Sequence, residues 1–236
     1  MTSSSNVDPH EIAKFEALAS RWWDRDGEFR PLHDINPLRA NYIDQHSPVC
    51  DQRLLDVGCG GGILAEAMAQ RGAIVTGIDM GEAPLSVAQL HRRESELDIR
   101  YVHTSAEQLA QGEAGRYDIV CCLEMLEHVP DPGAVIAACA ELARPGGALY
   151  FSTINRNPKA FALAIVGAEY ILRLLPAGTH EYAKFIRPSE LAGWLRDADL
   201  VLEGMTGLTY NPLTRNYRLN PKDLDVNYIV RAVKPA

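Results

Sequence analysis

Apolar positions recur along this chain in two rhythms. "DPHEIAKFEALASRWWD" (Asp8–Asp24) sets Ile12, Phe15, Leu18 and Trp22 at spacings of three and four, the period of an amphipathic helix. "NPLRANYIDQH" (Asn36–His46) reads as a second short helix begun by Pro37, since proline suits a first helical turn. Strand and helix patterns then alternate. "RLLDVG", "AIVTGID", "IRYVHT", "YDIVCCLE" and "ALYFSTI" predict short buried strands. "GILAEAMAQRG", closed by Gly72, "EAPLSVAQLHRRESEL" and "PGAVIAACAELARPGG" predict helices among them. "LVLEGMTGL" and "VNYIVRAVK" predict two late strands, and "TYNPLTRNYRLNPKDL" a long loop between them. This alternation implies βαβ units, hence an α/β fold with a mainly parallel sheet and helices on both faces.

Length and composition narrow the class. At 236 residues, a single domain is expected. It divides into an N-terminal helical cap (7–46), a core (50–155), an apolar insertion (156–187) and closing strands (188–236). The net charge of −8 argues against a nucleic-acid partner, which needs a basic face. Cys50, Cys59, Cys121, Cys122 and Cys139 form no C-x-x-C pair, so free thiols in a reducing cytoplasm are expected. The start, "MTSSSNVDPHE", has no apolar signal core. No stretch reaches the roughly 18 apolar residues of a spanning helix, so a soluble protein, at most resting on a membrane surface, is expected.

"LLDVGCGGG" (Leu54–Gly62) follows the first strand, where doubly wound sheets bind their ligands. Glycine there admits unusual backbone angles and leaves room for a ligand at a helix N-terminus. A dinucleotide fingerprint needs a third glycine at position 63, which is Ile63. The pattern is instead Asp56, Gly58, Gly60 and Gly62. It resembles motif I of class I S-adenosylmethionine methyltransferases. Asp79 ends the second strand, where an acid accepts both ribose hydroxyls, with Met80 beside it. By similarity, Ala106 or Glu107 would lie near an adenine; Glu107 reads equally as a helix cap. Leu123 would give an apolar or backbone contact, or fill the core.

"CLEMLEHVPDP" holds Glu124, Glu127 and His128, which share one face if the segment is helical. A phenol, with a pKa near about 10, is a weak nucleophile at neutral pH. Either His128 is the general base that takes its proton, or Glu124, Glu127 and His128 hold a metal that acidifies the hydroxyl. Mg²⁺ or Mn²⁺ suits such oxygen-rich ligation better than Zn²⁺. His128 could instead only fix its loop.

The flanks add two features. "SRWWDRDGEFRPLHDINPLR" reads as a helical layer or as a lid over an apolar substrate, with Arg39 meeting a cofactor carboxylate or a surface acid. Lys159–Leu175 is apolar nearly all round a helix. Lys159 and Arg173 lie about 40° apart and Glu169 about 40° further, one narrow charged sector. Such a segment suits a membrane interface, or burial against the domain or a partner subunit.

"RWWD…FRPLH", "EMLEHVPDP", "STINRN", "VGAEYILR" and "YNPLTRNYRL" together resemble the ubiquinone biosynthesis O-methyltransferase family from Val7 to Val230. The resemblance implies a Rossmann-like class I methyltransferase fold with a seven-stranded sheet. It implies S-adenosylmethionine as methyl donor, held by Arg39, Gly58, Asp79 and Leu123. Glu124, Glu127 and His128 carry over as base or metal cluster, with Mg²⁺ or another divalent cation. It also implies polyprenylated phenol and quinol acceptors, both O-methylation steps of ubiquinone formation, a biosynthetic complex, and cytoplasmic placement at the periphery of the inner membrane. Leu123 stands where relatives can carry methionine, which preserves an apolar contact. A carbon-methylating enzyme of a quinone pathway is the alternative.

Overall fold

The computed structural model describes residues 6–161, 181–211, 214 and 216–236. In chain order the elements are α1 (Pro9–Leu18), α2 (Arg30–His46), β1 (Arg53–Val57), α3 (Ile63–Ala69), β2 (Ile74–Asp79), α4 (Glu82–Glu94), β3 (Ile99–His103), α5 (Ala106–Glu113), β4 (Tyr117–Leu123), α6 (Pro132–Leu142), β5 (Ala143–Ile154), α7 (Pro158–Ala160), α8 (Pro188–Asp197), β6 (Val201–Asn211), β7 (Asn216–Asn220) and β8 (Asn227–Val233). Short 3₁₀ turns cover Ala19–Arg21, Leu126–His128 and Tyr182–Lys184.

The described strands form one sheet in the order β3-β2-β1-β4-β5-β8-β6-β7. The first five are parallel, and β8, β6 and β7 join antiparallel. The sheet therefore has eight strands where seven were expected. The extra strand, β7, lies inside the segment read as a loop. Its polar sequence, "NYRLN", hides the strand, which is held by pairing to β6 and by the Tyr210–Tyr217 cross-strand ring pair at 4.7 Å.

Strand alternation sends side chains into two cores. Leu55, Val120, Cys122, Leu149 and Phe151 pack with α5, α6 and α8. Leu54, Ile119, Cys121 and Tyr150 pack on the opposite face with α2 and α3. Both faces are buried, so the parallel strands read as continuous apolar runs. The described cysteines are free, and all but Cys50 are buried.

The cap differs from expectation at its boundaries. Asp8 accepts the His10 N–H at 2.9 Å and starts α1, which gives way to the 3₁₀ turn before Trp22. Helix α2 begins at Arg30 rather than Pro37. Pro31 occupies its first turn, and Pro37 is accommodated inside it. The helical reading of 159–175 falls, from residue 162 on, outside the described residues. The N-terminal edge of that stretch is tied to the turn before β8: Lys159 Nζ pairs with Asp225 at 2.8 Å, and Asn157 Nδ2 donates to Asp225 O at 2.6 Å. Among the described residues, no helix is long and apolar enough to cross a membrane.

Candidate active site

Strand order reverses between β1 and β4, and a cavity opens at the carboxyl ends of β1, β2 and β4. With its open mouth it encloses about 1250 Å³. The strand ends and glycine loop form its floor, and Asn6–Phe15 together with Trp22 form its roof. Arg39, Asp56, Gly58, Gly60, Asp79, Met80, Ala106, Glu107, Leu123, Glu124 and His128 all line it. Gly62 and Glu127 do not.

The glycine loop answers first to the protein itself. Gly60 has φ +51°, and a Cβ there or on Gly61 would overlap the Trp22 ring. A Cβ on Gly58 would run into Met125, and one on Gly62 into the Tyr101 hydroxyl. Missing side chains thus let Trp22 of the cap close over the loop. Trp23 Nε1 donates to Gly61 O at 2.9 Å, a second tie between cap and loop.

Asp79 is held from two sides. Its Oδ2 accepts from Gly60 N–H and its Oδ1 from Gly81 N–H, both at 2.8 Å. Burial raises its pKa, and those amides and His103 oppose the rise. Each carboxylate oxygen retains a lone pair. Asp56, buried behind the loop, has its pKa pushed up to about 7, first by burial and then by the Asp79 charge. Its Oδ2 has no hydrogen-bond partner among the described residues. Met80 O accepts from His103 Nε2 at 2.9 Å. Ser105, rather than Glu107, caps α5. Glu107 instead accepts from Asn6 Nδ2 at 3.0 Å, and Asn6 also bonds the backbone of Asp131. The chain before α1 is thereby fastened across the Glu107 end of the cavity.

The acidic cluster departs from the single helical face expected. Glu124 has φ +52°, a left-handed conformation rare outside glycine, and only Leu126–His128 forms a 3₁₀ turn. The three side chains consequently diverge. Glu124 accepts from Ser152 Oγ at 2.6 Å and from Asn227 Nδ2 at 2.9 and 3.0 Å. Arg39 Nη2 lies 2.6 Å from Glu124 Oε1, an ion pair not aligned as a hydrogen bond. Glu127 is buried, with Oε2 accepting from Thr153 Oγ1 at 2.9 Å. Burial, then the Glu124 charge, pushes its pKa up to about 7. His128 Nδ1 sits 2.8 Å from Glu11 Oε2. Burial would lower the imidazole pKa, but the Glu11 bond and the Glu127 and Glu124 charges outweigh it, so the net shift is upward. Among the described residues no three His, Cys, Asp or Glu side chains are grouped to hold a metal ion. The expected divalent cation on Glu124, Glu127 and His128 does not fit this arrangement. Of the three, only Glu124 and His128 reach the cavity.

A methyltransferase-domain family model matches residues 17–203. The ubiquinone biosynthesis O-methyltransferase of Saccharophagus degradans is 65% identical over 233 residues, covering 99% of this chain and 99% of that protein. The chain belongs to the ubiquinone biosynthesis O-methyltransferases. The Stutzerimonas stutzeri member is likewise 65% identical, over 98% of this chain and 99% of its own. Among solved structures, magnesium protoporphyrin IX methyltransferase of Synechocystis PCC 6803 shares the fold. Its form with bound S-adenosylhomocysteine aligns with TM-score 0.69 at 21% identity, covering 95% of this chain and 99% of that one. As a family member, this chain is an S-adenosylmethionine-dependent O-methyltransferase.

The residues present fit that cofactor. Arg39 is buried and lines the cavity, and its Nε lacks a hydrogen-bond partner among the described residues. That leaves a donor for a carboxylate, as Asp79 offers acceptors for a diol. Sequence reasoning missed Glu11, Lys184, Asn6 and Met125. Glu11 carries no local signal, because it precedes Ile12 in a helix whose other charges are solvent-facing. Lys184 lies some fifty residues beyond the motif it serves.

Proposed function

We propose that this enzyme methylates the phenolic hydroxyls of polyprenylated catechol and quinol intermediates, both O-methylation steps of ubiquinone formation, with His128 as general base. The observation that carries this reading is that one cavity is lined by both the Gly58–Asp79 floor and His128. When bound, S-adenosylmethionine supplies an electrophilic methyl group on sulfonium. Asp79 accepts from the ribose hydroxyls, Arg39 meets the amino-acid carboxylate, and Asp56 and the glycine loop back that end. Met80, Ala106, Glu107 and Leu123 flank the nucleoside. Val7, Ile12 and Phe15 offer an apolar wall for the acceptor ring. Because the donor is already activated, the protein's main work is to align the acceptor oxygen and remove its proton. Glu124 is paired with Arg39 and anchored by Ser152 and Asn227, which leaves His128 as the base.

The acceptor's prenyl tail dissolves in lipid, so the enzyme docks to a membrane surface to meet it. The apolar composition of the 159–175 stretch supports this contact. The enzyme then works at the cytoplasmic periphery of the inner membrane, alongside other enzymes of the pathway. The test is transfer of labelled methyl to a short-chain prenyl catechol, with and without liposomes, by wild type and His128→Ala. Expected are transfer by wild type, stimulation by liposomes for longer tails, and loss of at least about a hundredfold in the variant. Full turnover by His128→Ala would remove the base assignment.

A further inference from the structure

Among the residues of α1, the one that is buried is an acid, Glu11. A buried carboxylate is costly unless paired and hydrogen-bonded. Its two oxygens are used differently. Oε1 accepts from Lys14 Nζ at 3.0 Å and from Lys184 Nζ at 2.9 Å. Two cations therefore already satisfy that side. Oε2 is turned to His128 Nδ1 at 2.8 Å. Phe15, one turn further along α1, meets the His128 ring edge-on, with centroids 5.0 Å apart and planes at 88°. One helix thus fixes both the hydrogen bond and the plane of an imidazole that lines the cavity.

The proton on this bond follows from chemistry. The His128 bond, against the cost of burial, and the two lysines hold the Glu11 carboxyl well below the usual carboxylate range. An ionised carboxylate only accepts, so Nδ1 must carry the hydrogen and donate it. In neutral His128 the lone pair is then on Nε2.

We infer that Glu11 is the positioning residue for His128, fixing its tautomer and plane so that Nε2 faces the reaction as base. This rests on the reading of His128 as general base. In the step it serves, the acceptor O–H bond breaks and its proton passes to Nε2. The oxygen bonds the methyl carbon, and the methyl–sulfur bond breaks with its electron pair remaining on sulfur. The imidazolium, stabilised by Glu11, afterwards returns its proton to water. The charged groups facing this pair are Asp8 and Lys14 on α1, Lys184 and Glu181 near the Tyr182–Lys184 turn, and Glu124 and Glu127 on the His128 loop.

The test uses the full-length enzyme. Imidazole nitrogen NMR at high pH should report neutral His128 protonated at Nδ1; protonation at Nε2 overturns the inference. Glu11→Gln should lower kcat by about tenfold or more with the cofactor KM little changed, since only charge and tautomer control are lost. The acid limb of its pH–rate profile should move to lower pH, because the carboxylate that raises the His128 pKa is gone. Glu11→Asp should recover part of kcat. If Glu11→Gln keeps wild-type kcat and acid limb while His128→Ala is inactive, the positioning role fails and the base survives. If His128→Ala is fully active, both fail. Should Glu11→Gln not fold, the wild-type NMR decides alone.

Discussion

Asp79→Ala tests the cofactor end of the cavity. The Asp79 carboxylate is the acceptor for Gly60 and Gly81 N–H at 2.8 Å each. Removing it strips two amides of a charged acceptor. Water entering the open cavity replaces part of that loss, so the expected fold cost is about 1–2 kcal/mol. Binding loses more. Two ribose hydroxyls bonded to a carboxylate, at about 1.5 kcal/mol each, amount to about 3 kcal/mol. That corresponds to roughly a hundredfold in Kd. Isothermal calorimetry with S-adenosylhomocysteine reads binding without turnover, and a thermal melt sets a temperature at which both proteins are folded. An affinity within about threefold of wild type would refute the ribose assignment. Affinity for the acceptor should be little affected.

Three further outcomes follow from the packing and charges. Phe151 is fully buried in the larger core, so Phe151→Ala should cost about 3–5 kcal/mol in denaturant unfolding; a loss below 1 kcal/mol would contradict that packing. Gly60→Ala should lower both stability and cofactor affinity, through its left-handed φ and the Trp22 ring; Trp22→Ala in the same chain should restore only part, since the backbone strain remains. The Glu11–His128 pair gives a pH signature. His128 has a raised pKa when folded, so its contribution is full below its unfolded value of 6.5 and is lost as pH rises through the folded value. Glu11 has a lowered pKa, so its contribution is present above 4.5 and lost as pH falls. The Tm difference between wild type and Glu11→Gln should therefore be largest between about pH 5 and 6.5 and shrink at pH 9, and a difference that grows with pH would contradict the pair.

The sheet was legible because its strands are buried on both faces and read as apolar runs between helical periods. The cavity floor was legible because glycine spacing and a strand-ending acid are local signals. β7 was not, since a polar edge strand is specified by its partner rather than by its own sequence. The helical face proposed for Glu124, Glu127 and His128 failed for a backbone reason. A left-handed Glu124, pinned by Ser152 and Asn227, cannot be read from spacing. Nor could the role of Glu11, whose distant partners Lys184 and His128 are 173 and 117 residues away. The glycines were read as space for a ligand; that a Cβ on them would also meet Trp22, Met125 or Tyr101 depends on contacts from distant segments, which spacing does not show.

The most direct measurement is the position of the transferred methyl group. Wild-type enzyme, S-adenosylmethionine labelled at the methyl carbon and a short-chain prenyl catechol should yield a product whose label NMR assigns to a phenolic ether. Asp79→Ala and His128→Ala should both depress its formation. A label on a ring carbon, or none transferred at saturating donor, would contradict a cavity built to deprotonate an oxygen beside the methyl donor.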